Sequence, residues 1–164
     1  MRTDDFRELM CRFPTGVAIV TSINDQGRPY GMTCSSLASV CLSPPTLLVC
    51  LRTSSATFGA VRARRGFAVN VLDTSGRTAA DLFSSAEPDR FARVGWRLSP
   101  DGLPWLIEHT AATADCRVVR TETVGDHTVV FGELRQLHVW DSQPLLYGMR
   151  RFLMPAPDAL QPTR

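Results

Sequence analysis

The residues whose types and spacing best suit chemistry lie between Gly31 and Thr57, in the stretch GMTCSSLASVCLSPPTLLVCLRTSSAT. Met32, Thr33, Cys34, Ser35 and Ser36 offer mostly short side chains and accessible backbone N–H groups, so a flat ligand can approach the main chain there. After Leu51, the segment Arg52-Thr53-Ser54-Ser55-Ala56-Thr57 leads into a helix-compatible run to Arg65, with Ser54 or Ser55 as its N-cap. A strand that runs into a hydroxyl-rich helix start presents free N–H groups and a positive dipole end to an anion such as a phosphate. The same residues also suit an ordinary capped helix with no ligand. Arg62, Arg64 and Arg65 form the densest basic cluster, either a solvated helix face or a further phosphate contact.

Other chemistries find less support. Cys34 as a nucleophile would need a base, and no histidine stands beside it. The five cysteines, Cys11, Cys34, Cys41, Cys50 and Cys116, are odd in number and lie mostly in apolar runs. They show neither a CxxC nor a His/Cys ligand spacing, so reduced buried thiols and no metal are expected. Asn70, polar within the apolar run GFAVNVL, either satisfies backbone groups at a bulge or touches a ligand. His127 follows Asp126 at a hairpin tip, where it is either pinned by that carboxylate or free to meet a ligand. No paired carboxylates and no Ser/His/Asp set stand out.

The elements that position these residues form one domain over 1–154, with a tail over 155–164. A chain of 164 residues with 44% hydrophobic content supports one sizeable core. Eighteen basic and sixteen acidic residues leave a net charge of +2 with no long basic block, which does not suggest nucleic-acid binding. The N-terminus, MRTDDFRELMCRF, carries acids where a signal peptide needs an uninterrupted apolar core, and no segment approaches a membrane span. A cytoplasmic protein without membrane contact is expected.

In chain order, Thr3 or Asp4 caps a helix to Arg12 with Phe6, Leu9, Met10 and Phe13 as its apolar face. Gly16–Ser22 is a strand, returned by an Asn24–Gly27 hairpin turn. Leu37–Leu42 and Thr46–Leu51 are strands joined by a rigid Pro44-Pro45 turn. Gly66–Leu72 is a further strand, and Asp73 or Thr74 opens a helix to Ser84. Glu87–Phe91 is a loop, and Gly95–Leu106 consists of turns packed by Trp96 and Trp105 rather than a regular element. Ala112–Thr121 and Thr128–Trp140 form a long hairpin, and the turn Arg150-Arg151-Phe152 ends the ordered part. Six or more strands, few helices and no GxGxxG indicate a mainly β, antiparallel barrel with helical insertions.

The order of short motifs resembles that of flavin reductase-like proteins with the FMN-binding split-barrel fold, in particular the small reductase component of two-component flavin-dependent monooxygenases. The motifs are Phe13-Pro14-Thr15-Gly16-Val17, Gly31-Met32-Thr33 with Ser35-Ser36, Ser39-Val40, Pro44-Pro45, Phe67–Leu72, Asp89-Arg90-Phe91, Gly125-Asp126-His127 and Pro144–Tyr147. The resemblance spans about residues 6 to 152. It implies a six-stranded Greek-key barrel, a homodimer, and one flavin, FMN or FAD, per subunit near the dimer interface. By position, Thr15, Met32, Thr33, Cys34, Ser35, Ser36, Ala38 and Ser39 flank the isoalloxazine, and Ser54, Ser55 and Thr57 hold the phosphate. Arg52 and Asn70 are further cofactor contacts, and His127 lies at the nicotinamide of NADH or NADPH. The family often has Gln where Gly76 stands and Tyr where Phe152 stands.

The activity this resemblance implies is hydride transfer from NAD(P)H to flavin, with reduced flavin passed to a partner monooxygenase; the cofactor carries the reactivity and no protein nucleophile is needed. Two other readings remain: a non-catalytic flavin- or heme-binding barrel, and a self-contained flavin oxidase acting on a small amine. The Gly125-Asp126-His127 element favours the reductase, because a mere flavin holder needs no nicotinamide contact.

Overall fold

The computed structural model describes residues 2–155; the expected tail therefore lies, beyond Pro155, outside the described residues. Helix α1 (Thr3–Cys11) leads through Pro14 into a short strand β1 (Thr15–Gly16). The β-branched run that follows forms β2 (Ala18–Ile23), buried on both faces, and β3 (Pro29–Cys34) returns beside it. In the turn between them Gly27 takes φ +76°, and Asn24 Oδ1 accepts from Gln26 N and Arg28 N at 3.1 and 2.8 Å. Next come β4 (Leu37–Leu42), β5 (Pro45–Arg52), α2 (Ala56–Arg64), β6 (Gly66–Leu72) and α3 (Arg77–Ser84). A 3-10 turn at Arg90–Arg93 precedes the small hairpin β7 (Trp96–Leu98) and β8 (Pro104–Leu106). The long hairpin β9 (Thr110–Val124) and β10 (His127–Val139) is followed by β11 (Leu146–Gly148) and β12 (Arg151–Leu153).

The main sheet has seven strands in the order β3-β2-β6-β9-β10-β5-β4, and every neighbouring pair is antiparallel. The mainly β split-barrel expectation holds, with one strand more than expected. Six strands run from β3 to β5, and the two ends meet where Cys50 N donates to Ser36 O at 3.2 Å. The seventh, β4, pairs with the first half of β5 from Leu42↔Pro45 to Leu37↔Val49 and leaves Ala38–Leu42 exposed.

Side-chain alternation divides the core. On β2, Ala18 and Val20 join Val49, Leu51, Phe58, Val61, Phe67 and Val130 in one buried cluster, while Val17 and Ile19 face Leu72, Ala79, Ala80, Phe83 and Leu145 in another. Helix α2 thus packs against one side of the strand layer and α3 against the other.

Several local expectations are corrected. Neither Thr3 nor Asp4 caps α1: Arg2 is its N-cap residue and makes no side-chain cap bond. The apolar face of α1 faces outward, with no buried residue in the helix. Pro45 begins β5 instead of sitting in the turn, because the first residue of a strand, ahead of the β10 pairing that starts at Thr46, needs no ladder donor there. Helix α3 starts at Arg77 because Asp73 closes its own turn first, its Oδ1 accepting from Ser75 N at 2.8 Å and Ser75 Oγ at 2.6 Å. The tryptophan-rich segment is a regular hairpin, held to the sheet where Trp105 Nε1 donates to Asp115 Oδ1 at 2.7 Å. Arg151 and Phe152 belong to β12, and the turn before them is Met149-Arg150, both with positive φ.

Candidate functional site

The start of α2 presents the donors that an anion would need. Ser55 is its N-cap, with φ −74° and ψ 143°, and its Oγ accepts from Phe58 N at 3.1 Å. The N–H groups of Ala56 and Thr57 come before any intrahelical acceptor is available. No acidic residue stands in the first turn, and Arg62 and Arg64 stand in the last, so nothing on the helix offsets the positive dipole end.

This helix start forms one wall of a cleft of about 700 Å³. The opposite walls are Arg28–Thr33 along β3, Phe83–Ser85 at the end of α3, and Pro88–Ala92. That volume lies within the range of roughly 300–1,000 Å³ common for small-molecule sites. The Phe83 ring packs directly onto β3 at Gly31, where a Cβ would come within 2.8 Å of Phe83 Cε1. Thr33 Oγ1 donates to Ala80 O at 2.7 Å and ties β3 to α3.

Arg90 closes the remaining side. Its Nη1 donates to Gly31 O at 2.8 Å and Phe83 O at 3.1 Å, and its Nε donates to Glu87 O at 2.9 Å. One guanidinium therefore fixes the 87–91 loop, the end of α3 and the centre of β3 together. The sequence places Arg90 in the Asp89-Arg90-Phe91 motif but gives it no role of its own, because three carbonyl acceptors scattered along the chain leave no spacing to detect.

Of the residues expected at a ligand, Met32, Thr33, Ser55 and Thr57 line this cleft, and Ser54 adjoins it in sequence. Arg52 and His127 come together outside its lining, as directly paired residues of β5 and β10. The hairpin tip is pinned to the helix entrance, with Thr53 N donating to Asp126 O at 2.9 Å and the Thr53 and Thr128 hydroxyls 3.0 Å apart. His127 Nδ1 lies 2.8 Å from Asp126 Oδ1, and that hydrogen bond and the neighbouring imidazole hold the Asp126 carboxyl below the usual carboxylate range. The His127 side chain remains half exposed.

The other expected residues lie elsewhere. Ser35, Ser36, Ala38 and Ser39 are exposed along the approach to β4 and on it, and Thr15 is half-buried on β1 opposite Tyr147. Cys34 is buried, and that burial pushes its thiol up to about 11, which removes the nucleophile reading. Asn70 is fully buried: its Nδ2 donates to Ile19 O and Thr21 Oγ1 at 3.1 and 3.2 Å, and its Oδ1 accepts from Leu106 N at 2.8 Å. Its side chain knits β2, β6 and β8 together and is not among the residues lining this cleft, so the structure favours the backbone-satisfying role over ligand contact.

The two departures from the family pattern have local causes. A Cβ at Gly76 would lie 2.9 Å from Leu72 Cβ and 3.0 Å from His109 O, so a glutamine does not fit this backbone. Phe152 packs edge-on against Tyr147, with centroids 5.4 Å apart, and Arg77 covers its ring at 5.5 Å.

Comparison with known proteins agrees with this geometry. The model of the flavin reductase like domain matches residues 10–154. The chain is 51% identical over 155 residues to the flavin reductase (NADPH) of Lentzea aerocolonigenes, covering 94% of this chain and 91% of that protein. It is 39% identical to the flavin-dependent monooxygenase reductase subunit HsaB of Mycobacterium tuberculosis, covering 80% of this chain and 70% of the other. Among solved structures, the NADH:FAD oxidoreductase SgcE6 of Streptomyces globisporus C-1027, in complex with NAD and FAD fragments, superposes with a TM-score of 0.89. That pair is 34% identical, with 95% of this chain and 94% of the other covered.

Proposed function

The chain belongs to the flavin reductase-like family and is an NAD(P)H-dependent flavin reductase, and from that premise we propose that the start of α2 holds the flavin phosphate and that reduced flavin passes to a separate monooxygenase. The observation that carries this reading is the unoffset N-terminus of α2 opening onto a cleft walled by β3 and the end of α3. The donor set fits the group: two free backbone N–H groups, the Ser55 and Thr57 hydroxyls, and no competing carboxylate on the helix.

A flavin held there would supply the acceptor for hydride from reduced nicotinamide. The chain itself binds and orients. Met32 and Thr33 offer β3 backbone and slender side chains to a ring, and Arg90 holds the wall in place. His127, paired with Arg52, meets the nicotinamide at the helix entrance. Ser35, Ser36, Ala38, Ser39 and Thr15 complete the ring site from outside the cleft lining, where a second copy of the chain also approaches.

A homodimer is supported by apolar surface that the single chain leaves open. Leu9 is 63% and Phe13 65% exposed, alongside Phe6 and Met10. Their helix is clamped edgewise, with Met149 N donating to Cys11 O at 2.6 Å and Arg150 Nε reaching Cys11 Sγ at 3.2 Å. Met149, Tyr147 and Met154 are exposed on neighbouring elements, and contiguous apolar surface of this kind marks an interface. No helix among the described residues is long and apolar enough to cross a membrane. A cytoplasmic location suits an enzyme that draws on the NAD(P)H pool and carries five free cysteines.

The decisive experiment is NADH and NADPH oxidation by the purified protein with FMN and FAD supplied in turn. Turnover that depends on added flavin supports a reductase that releases its product, whereas no turnover with either flavin refutes it. A non-catalytic flavin- or heme-binding barrel, the alternative raised by the sequence, is not supported by relatives named as reductases.

A further inference from the structure

We infer that Arg28 and Tyr30 form a second subsite in the same cleft, one that takes the adenylate half of a dinucleotide through its phosphate and its purine ring. The inference rests on the assignment of the first flavin phosphate to the start of α2.

Arg28 is held as a fixed platform. Its N–H donates to Asn24 Oδ1 at 2.8 Å and its carbonyl accepts from Asn24 N at 3.0 Å, so both backbone groups are locked by the β2–β3 turn. Its guanidinium lies over the Tyr30 ring, 5.8 Å from the centroid, and both residues line the cleft. Among the described residues no carboxylate lies within 4.0 Å of Arg28, as is also true of Arg52, Arg62 and Arg64, whereas Arg7, Arg12, Arg77, Arg93, Arg117 and Arg120 each pair with an acid. The Arg28 guanidinium is therefore not tied up in an ion pair, although Asp89 lines the same cleft.

Position along the strand selects the part of the ligand that Arg28 meets. A strand rises about 3.3 Å per residue, so Arg28 stands roughly 13–17 Å along β3 from Met32 and Thr33, where the ring is expected. A mononucleotide ends at its phosphate on α2. A dinucleotide continues past it with a second phosphate and a purine. A planar guanidinium forks onto phosphate oxygens, and an aromatic face stacks a base. Both FAD and NAD(P)H contain that adenylate, so the chemistry is shared and experiment separates the sources.

Calorimetric titration of the full chain with FMN and with FAD, before and after Arg28→Gln, tests the subsite independently of turnover. The expected result is FAD binding weakened about tenfold while FMN binding changes less than about twofold, as befits one lost charge-assisted contact. Tyr30→Leu should act in the same direction, and Tyr30→Phe, which keeps the ring, should restore FAD affinity. If the occupant is NAD(P)H, FAD binding stays unchanged and the nicotinamide KM, measured with FMN as the flavin, rises in Arg28→Gln. Equal losses for FMN and FAD would place Arg28 at the first phosphate and overturn the subsite. No change in either FAD affinity or nicotinamide KM would overturn it as well. If the unaltered protein binds neither flavin, the flavin site itself is refuted and the subsite falls with it.

Discussion

Replacing Ser55 by Asp separates the two tasks assigned to that residue, because an aspartate caps a helix as well as a serine does yet repels a phosphate. In the structure Ser55 Oγ accepts from Phe58 N at 3.1 Å, a role a carboxylate oxygen fills at least equally well. The added charge at the helix start contributes a further 0.3–1 kcal/mol, roughly, through the dipole. The ligand-free protein should therefore melt at or above its original temperature. Against a phosphate about 6 Å away, the same charge costs about 0.7 kcal/mol per unit charge in bulk water and about 2.8 kcal/mol at an effective dielectric of about 20. For a phosphate dianion the lower limit doubles to about 1.4 kcal/mol, which is about tenfold in affinity. FMN titrations followed by quenching of flavin fluorescence, set beside a melting curve, measure both effects. Riboflavin, which lacks the phosphate, serves as the control and should bind Ser55→Asp as it binds the original. Unchanged FMN affinity, or an equal loss for riboflavin and FMN, would refute the phosphate site at α2; a lowered melting temperature would refute the capping argument.

Three other perturbations test separate parts of the account. His127→Ala should slow flavin reduction or raise the NAD(P)H KM about fivefold or more while flavin affinity holds; rapid mixing separates the two, and normal reduction at all NAD(P)H concentrations would remove His127 from the site. Arg90→Lys keeps the charge but cannot serve the Gly31, Phe83 and Glu87 carbonyls together, so about 1–3 kcal/mol of stability and part of the flavin affinity should be lost. An unchanged melt and an unchanged FMN titration would show that the loop is held without it. Asp115 is buried with Oδ2 unpartnered, and burial raises its pKa, the Trp105 hydrogen bond offsetting only part of the rise. The unfolded chain then gives up this proton first as pH rises above the ordinary carboxylate value near 4, so stability falls with pH until the raised folded value is passed. Asp115→Asn, which keeps an acceptor for Trp105, should melt at or above the original at neutral pH and lose that part of the pH slope; a lower melt at every pH would contradict the assignment.

Much of the fold was legible because its signals are local. The β-branched run at Ala18–Ile23, the turn at Asn24–Gly27 and the serine before α2 act over a few residues, and a strand or a cap follows from them wherever they occur. The misread segments are those where a local signal had a competitor. Asp73 and Ser75 bonded to each other before they could begin α3, and the tryptophans of Gly95–Leu106 obscured a hairpin that Asp115, far along the chain, helps to hold. Asn70 looked available for a ligand because its sequence neighbours are apolar; the groups that consume its amide come from β2 and from Leu106.

The sequence by itself determined which residues are small, which hydroxyls precede the helix and in what order the family motifs appear, and that was enough to mark the helix start as a candidate phosphate site. Only the tertiary structure decided what faces that start. The register of β10 on β5 brings His127 opposite Arg52, although they are separated by four further strands and two α-helices along the chain. Arg90 becomes part of the cleft because its acceptors at Gly31, Phe83 and Glu87 converge, and Arg28 because β3 runs the length of the same wall. Such contacts depend on strand register and sheet closure, which are set by the packing of the whole core and so leave no trace in the spacing of any one segment.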